Sequence, residues 1–267
     1  MDRLKADSVL LFSGLDPSGA AGISADIETL NQFGLVALPI VTSLTSQNTQ
    51  RVDSIEAVKG SLLVKQFNLI VEDILFNTVK IGLLASVSQI KIIARLINEK
   101  NIANVVIDPI LISGTQENLS SDKMIKAMKN YLFPISKLIT PNLHELSLLA
   151  PGLSEQDAVS RLNCSWVLVT TSDSSENEIE HRLYNKSKLI RGFRYKKLPN
   201  QFHGSGCTLS SAISALLAKG IGVEEACNQG LSYTYQCLLT AKKLGKMQYH
   251  PTVSYTHLTL PTRAVVG

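Results

Sequence analysis

Six short runs of apolar, mostly β-branched residues recur along this chain, separated by polar breaks and by segments with helical spacing. The runs are Val9 to Ser13, Val36 to Thr42, Val79 to Leu83, Val105 to Asp108, Leu138 to Thr140 and Trp166 to Thr170. They are continuous rather than alternating, as in strands covered on both faces. Ile23, Ile27 and Leu30 share a helical face, as do Ile90, Ile93, Ala94 and Ile97, and again Leu209, Ile213, Leu216 and Leu217. This βαβα order predicts an α/β fold: a mostly parallel central sheet with helices on both sides, three layers in all. Leu183 to Tyr195 reads as a hairpin turning at Asn185 to Ser187, antiparallel to the rest.

With 267 residues, 45% of them hydrophobic and 18% charged, the chain can bury a full core. No linker-like tract interrupts it, so residues 1–250 are read as one domain and 251–267 as an irregular tail, disordered or foreign to the natural protein. The net charge of +4 comes from scattered residues. That suits a pocket for anionic ligands and makes no nucleic-acid surface. The one cluster, Arg194, Lys196 and Lys197 within Arg191 to Lys197, is read as a solvated strand and turn. Cys164, Cys207, Cys227 and Cys237 show neither CxxC pairing nor metal spacing, as expected of reduced thiols. Asp2, Arg3, Lys5 and Asp7 break any apolar leader, and no run is long enough for a membrane span. The expectation is a cytoplasmic protein with no membrane partner.

In an open parallel sheet, ligands bind beyond the carboxyl ends of the strands. Here those ends are polar. The first strand runs into the glycine-rich turn Ser13 to Gly22, the second toward Gln47, the fourth into Asp108-Pro109, the fifth into Thr140-Pro-Asn142-Leu-His-Glu145, and the sixth into Thr170-Thr171. The sharpest signal is His203-Gly204-Ser205-Gly206-Cys207-Thr208, followed at once by an apolar helix. Glycines let backbone amides turn inward, and a helix start adds unpaired N–H groups and a positive dipole end. Together these can cradle a phosphate; a tight turn with ordinary capping by Ser205 or Thr208 is the plainer reading. At the first helical turn the dipole would lower the Cys207 thiol's pKa, making it a base or hydrogen-bond partner, or it is simply a small buried residue. Asp26, one turn into the first helix, reads as a site carboxylate or as a solvated acid stabilised by the dipole. Asn142 and Glu145, three apart, either cap their helix or supply oxygen ligands for Mg²⁺ beside nucleotide phosphates. His144 and His203 carry no metal pattern and are read as structural, with His203 at the pocket mouth.

Six ordered segments closely resemble the hydroxymethylpyrimidine/phosphomethylpyrimidine kinases of the ribokinase-like superfamily: residues 13–26 (SGLDPSGAAGISAD), Thr42 to Asn48, Lys80-Ile-Gly-Leu-Leu, Val106-Ile-Asp-Pro, Ile139-Thr-Pro-Asn-Leu-His-Glu, and His203-Gly-Ser-Gly-Cys-Thr-Leu-Ser-Ser-Ala-Ile. The match runs in order from about Ser8 to about residue 240. The resemblance implies a ribokinase-like three-layer αβα fold. It also implies use of ATP and Mg²⁺ to phosphorylate 4-amino-5-hydroxymethyl-2-methylpyrimidine and then its monophosphate, in a homodimer. It would place the pyrimidine near Gly14, Ala21, Asp26 and Gln47, with Leu83 packed on the ring and Gln47 reading its amino group and nitrogen. The amides of Gly204, Ser205, Gly206 and Cys207 would stabilise the γ-phosphoryl group. Asp108 and Glu145 would serve the metal and Asn142 and Thr170 the nucleotide. Most ribokinase relatives carry Asp where this branch carries the equivalent of Cys207, which marks that residue for the catalytic site.

Two segments depart from the family. Its Lys-Gly-Gly-His after the sixth strand is Thr170-Thr-Ser-Asp-Ser-Ser here, and Ile110-Leu-Ile-Ser-Gly-Thr is altered where a lid would follow Asp108-Pro109. Three alternatives remain at this level: a pyridoxal kinase, whose substrate is also a flat ring with a hydroxymethyl group; a pyrimidine-binding sensor on a kinase scaffold without catalysis; and Cys207 as a covalent nucleophile, for which no His-plus-acid set is evident.

Overall fold

The computed structural model describes residues 8–112, 119–175 and 177–253, and the backbone alone at 172–174. Residues 1–7, where the sequence reads as no leader, most of the altered lid segment after Ile112 and most of the predicted tail lie outside these. All six predicted strands form. They are β1 (Ser8–Leu15), β2 (Val36–Gln47), β4 (Thr78–Ile81), β5 (Asn104–Ile107), β6 (Leu138–Ile139) and β7 (Trp166–Ser174), and they pair in parallel. Antiparallel strands flank them: β3 (Val52–Ala57) beside β2, and the hairpin β8 (Glu178–Asn185) and β9 (Lys188–Lys196) beside β7. The nine strands lie in the order β3-β2-β1-β4-β5-β6-β7-β8-β9.

Both faces of the central strands are covered by helices. Along β1, Leu10 and Phe12 face α2 (Gly60–Asp73) and α3 (Val87–Glu99), joining Leu63, Phe67, Ile90 and Ile93. The alternate residues Val9 and Leu11 pack with Ile23 and Leu30 of α1 (Gly22–Gln32) and Ala215 and Ala218 of α7 (Ser205–Ala218). On the same side, Val106, Leu138 and Leu168 meet Leu209 and Ile213 of α7 and Ala226 and Cys227 of α8 (Val223–Leu239). The short helices α4 (Asp122–Ala127), α5 (Leu143–Leu149) and α6 (Glu155–Ser160) complete the first layer.

The β8–β9 turn falls where the sequence places it. Lys186 and Ser187 both take positive φ (44° and 65°) between the paired residues Asn185 and Lys188. Strand β9 is largely exposed, with Arg194 3.2 Å from Glu180 and Arg191 3.4 Å from Glu224, so the basic cluster is a solvated edge strand as expected. Strand β2 runs five residues beyond its predicted end and folds back through β3, an extension the sequence reading did not contain. The first residues of the predicted tail are tied down: the Thr252 N–H donates to Cys237 O (3.1 Å) and the Tyr233 hydroxyl to Val253 O (3.1 Å). All four cysteines are free thiols. Among the described residues no helix is long and apolar enough to cross a membrane.

Candidate active site

The carboxyl ends of the parallel strands border one cavity of about 520 Å³. It is walled on one side by Gly14, Ala21, Gln47 and Leu83, on its floor by Asp108, Asn142, Glu145 and Thr170, and on the other side by Gly204, Ser205, Gly206 and Cys207. Residues from seven separate sequence segments therefore border one cavity.

At the start of α7, Gly204 holds φ +82°, and a Cβ there would lie 1.8 Å from the Ala20 carbonyl oxygen. Only glycine can stand here. Its carbonyl accepts from the Thr208 N–H at 2.9 Å, the first bond of the helical ladder. The amides of Ser205, Gly206 and Cys207 precede that ladder and point back along the axis toward the cavity end, where the dipole is positive. A Cβ on Gly206 would sit 3.4 Å from Asp108 Oδ2, so Asp108 lies directly under this turn.

The loop between β1 and α1 is organised by Asp16, a residue the sequence reading left without a role. Its carboxylate accepts from Ser18 N–H (2.8 Å), Ser18 Oγ (2.8 Å) and Ala21 N–H (3.1 Å), and His203 Nε2 lies 2.9 Å from Oδ2. Burial alone would raise its pKa, but His203, the Gln47 side chain and the Ser18 amide outweigh it and hold the group well below the usual carboxylate range. A fixed anion thus holds one N–H of the Gln47 amide and leaves the carbonyl and the second N–H for a ligand. The signal was present: Asp-Pro-Ser-Gly is a turn sequence whose Asp bonds its own backbone.

Asp26 corrects an expectation. It is fully buried and does not border the cavity; both its oxygens lie 2.9 Å from Lys80 Nζ, and Ser211 Oγ donates to Oδ1 at 2.8 Å. The solvated-acid reading fails too, because spacing on α1 says nothing of a lysine 54 positions away. Burial pulls the Lys80 ammonium down, but Asp26, with Cys207 and Asp108 beyond, more than offsets this and holds it above the ordinary lysine range. The trace in sequence was a lone lysine inside a buried apolar run.

Cys207 brings a second correction. Burial pushes its thiol up to about 12; Lys80 acts the other way and Asp108 adds to burial, so the expected depression by the helix dipole does not win. Asp108 is pushed up to about 6 by burial, against Lys80, and the Cys207 thiol bonds to it. Glu145 is pushed up to about 8 by burial and by Asp108.

The two readings of Asn142 and Glu145 turn out to be compatible. They form a reciprocal capping box on α5, with Glu145 N–H donating to Asn142 Oδ1 (2.8 Å) and Asn142 N–H to Glu145 Oε2 (3.0 Å), and both still border the cavity. No group of three or more metal-binding side chains occurs among the described residues. The chemistry of the pair Asp108 and Glu145 nonetheless fits Mg²⁺. Both carboxylates are buried, Asp108 raises the pKa of Glu145, and a cation held mainly by phosphates and water needs only one or two such groups.

Thr171 borders the cavity from the irregularity in β7 between Val169 and Asp173, with φ +51°, a conformation β-branched residues avoid. Its N–H donates to Nδ1 of buried His181 (3.0 Å), whose pKa burial lowers to about 4 despite Glu180. His181 was also missed. Its ring lies 5.8 Å from that of Tyr195, which lies 4.9 Å from Tyr235, giving this end of the cavity aromatic walls.

Comparison with known proteins agrees with this geometry. The family model for phosphomethylpyrimidine kinase matches residues 16–252. The hydroxymethylpyrimidine/phosphomethylpyrimidine kinase of Escherichia coli is 28% identical over 250 residues, covering 90% of this chain and 94% of that protein. The thiamine biosynthesis bifunctional protein ThiED of Geobacter sulfurreducens is 30% identical over 247 residues, and the chain spans only 50% of its length. Among solved structures, an ADP complex of Bacillus subtilis pyridoxal kinase superposes with a TM-score of 0.82 at 26% identity, covering 94% of this chain and 98% of that one. A phosphomethylpyrimidine kinase from Clostridium difficile gives 0.73 at 30% identity, with 86% and 99% covered. The fold is ribokinase-like, and the chain belongs to the phosphomethylpyrimidine kinase family.

Proposed function

We propose that this protein transfers the γ-phosphoryl group of ATP to the hydroxymethyl oxygen of 4-amino-5-hydroxymethyl-2-methylpyrimidine, and then phosphorylates the resulting monophosphate. The observation that carries this reading is that a glycine-bounded helix start and an anchored side-chain amide border the same cavity. Gln47, set by Asp16, offers donor and acceptor to an aminopyrimidine edge, and Leu83 and Gly14 supply an apolar slot beside it. The amides of Ser205, Gly206 and Cys207 receive charge that grows on the phosphoryl oxygens; loss of one comparable donor costs about 10²–10³ in rate. Asp108 and Glu145 would hold Mg²⁺, with Asn142 beside them. Bound there, the ion would supply charge neutralisation to the phosphates.

In the transfer, the hydroxymethyl oxygen forms its bond to the γ-phosphorus as the bond to the ADP oxygen breaks, and its proton passes to the Cys207 sulfur while the Cys207 proton moves on to Asp108. Cys207 keeps its proton at neutral pH and directs it to Asp108, so its sulfur accepts a hydrogen bond from the substrate hydroxyl rather than acting as a resting base. The base of ATP would lie at the aromatic end, by Thr170, Thr171 and Tyr195. A cytoplasmic homodimer belongs to the same proposal, on the family resemblance.

The likeness to Bacillus subtilis pyridoxal kinase favours a second reading in which pyridoxal is the acceptor. Mass spectrometry of products formed from the hydroxymethylpyrimidine or pyridoxal with Mg-ATP separates these. The proposal expects a monophosphate and then a diphosphate of the pyrimidine. Phosphorylated pyridoxal with untouched pyrimidine would replace it by the second reading, and tight pyrimidine binding with no product by a sensor.

A further inference from the structure

Lys80 does not border the cavity, yet it joins the two sides of it. Its side chain is fully buried in β4, 2.9 Å from both oxygens of Asp26 on α1. Asp26 in turn accepts from Ser211 Oγ on α7 at 2.8 Å. Helix α1 continues directly from the loop that presents Gly14, Asp16 and Ala21 to the acceptor ring. Helix α7 begins with the amides assigned to the phosphoryl group. The ammonium also lies under the backbone next to the ring slot: a Cβ on Gly82 would meet Lys80 Nζ at 2.9 Å and Ser13 Oγ at 2.8 Å, and the next residue is Leu83.

A buried ion pair is a poor device for stability alone, because apolar residues of similar size commonly serve as well or better. What the pair adds is direction. Apolar surfaces of α1 and α7 could slide past one another at small cost, whereas an ammonium, a carboxylate and a hydroxyl fix one register. A second polar tie, His203 to Asp16 at 2.9 Å, joins the same two segments at the mouth. Lys80 is the tie beneath the floor.

We propose that Lys80 is a positioning residue for phosphoryl transfer: acting through Asp26 and Ser211, it holds the acceptor-side loop in register with the phosphate-binding end of α7. The inference rests on the kinase reading. In-line attack tolerates little displacement between hydroxyl and phosphorus, and a misplacement of about 1 Å can cost on the order of 100-fold. A hydroxyl out of line leaves the phosphoryl group to water, which yields ADP and inorganic phosphate without phosphorylated pyrimidine.

The test compares Ser211→Ala and the charge-free double variant Lys80→Met/Asp26→Asn with wild type, measuring kcat, KM for both substrates, and ADP formed per phosphoryl group transferred to the pyrimidine. This last ratio does not depend on how much of the sample is folded. The expected result is a kcat lowered about 10-fold in Ser211→Ala and about 100-fold in the double variant. KM values should stay within threefold, and the ADP ratio should rise clearly above one in both. A double variant with kcat within threefold of wild type and one ADP per phosphoryl group transferred overturns the proposal. If that variant does not fold, Ser211→Ala with unchanged kcat and ratio overturns it instead. Wild type that phosphorylates no pyrimidine would contradict the kinase reading itself, a distinct outcome.

Discussion

The α carbon of Gly204 lies so close to the Ala20 carbonyl that a methyl group there would stand 1.8 Å from the oxygen. The contact joins the end of the first glycine-rich turn to the residue that opens the phosphate-binding helix. Neither backbone can give way without moving its half of the cavity. Gly204→Ala should therefore reduce kcat by more than about 100-fold, as for loss of an oxyanion donor. It should also lower the melting temperature, because φ +82° is strained for alanine even before the clash. Steady-state kinetics and thermal melting check both.

Gln47 and the phosphate-binding turn act on different substrates. Replacing Gln47 by Leu keeps its bulk and removes both hydrogen-bonding ends, leaving Asp16 with one donor fewer. The KM for the pyrimidine should rise about 10–100-fold while the KM for ATP stays within twofold, since a polar contact to the ring is lost and none to the nucleotide. Initial-rate kinetics with each substrate varied in turn measures this.

Thr171 stores strain at φ +51°, where a residue of this class costs on the order of 1–3 kcal/mol. Thr171→Gly removes that cost and returns about 0.5–1 kcal/mol of it through the looser unfolded chain. The net expectation is a gain of about 1 kcal/mol, seen as a melting temperature higher by about 2–4 °C. Differential scanning calorimetry reads it directly.

His181 makes stability depend on pH. Its pKa is lowered by burial from 6.5 to about 4, so between these values the unfolded chain binds a proton that the folded protein refuses. Stability from this group is present above pH 6.5 and is lost as pH falls toward 4, by on the order of 2–3 kcal/mol. His181→Asn keeps an acceptor for the Thr171 N–H and removes the titration. Urea unfolding across pH 4 to 7 should show a flatter profile for the variant than for wild type.

The continuous apolar runs were enough to place the parallel strands, because a strand covered on both faces must be apolar throughout. The extension of β2 through Ser43 to Gln47 and its partner β3 were not legible: the extension holds one apolar residue, Leu44, and β3 is largely exposed, so no continuous apolar run marks them. The glycine turns were legible because few other residues can occupy them, and the motif at 203–208 gave the helix start correctly. Asp26 was placed on the substrate because helical spacing tells which face a residue is on and not what stands opposite; Lys80 and Ser211, both distant in sequence, decide its role. The pKa of Cys207 went the other way for a similar reason. The helix dipole is visible in sequence, while the burial that overrides it belongs to the tertiary fold.

A crystal structure of the protein soaked with the hydroxymethylpyrimidine and a nonhydrolysable ATP analogue puts the whole account at stake. The terminal phosphate should lie within hydrogen-bonding distance of the amides of Ser205, Gly206 and Cys207, with the ring's amino edge on Gln47 and its hydroxymethyl group aimed at that phosphate. A terminal phosphate bound elsewhere, or a ring seated away from Gln47, would contradict it.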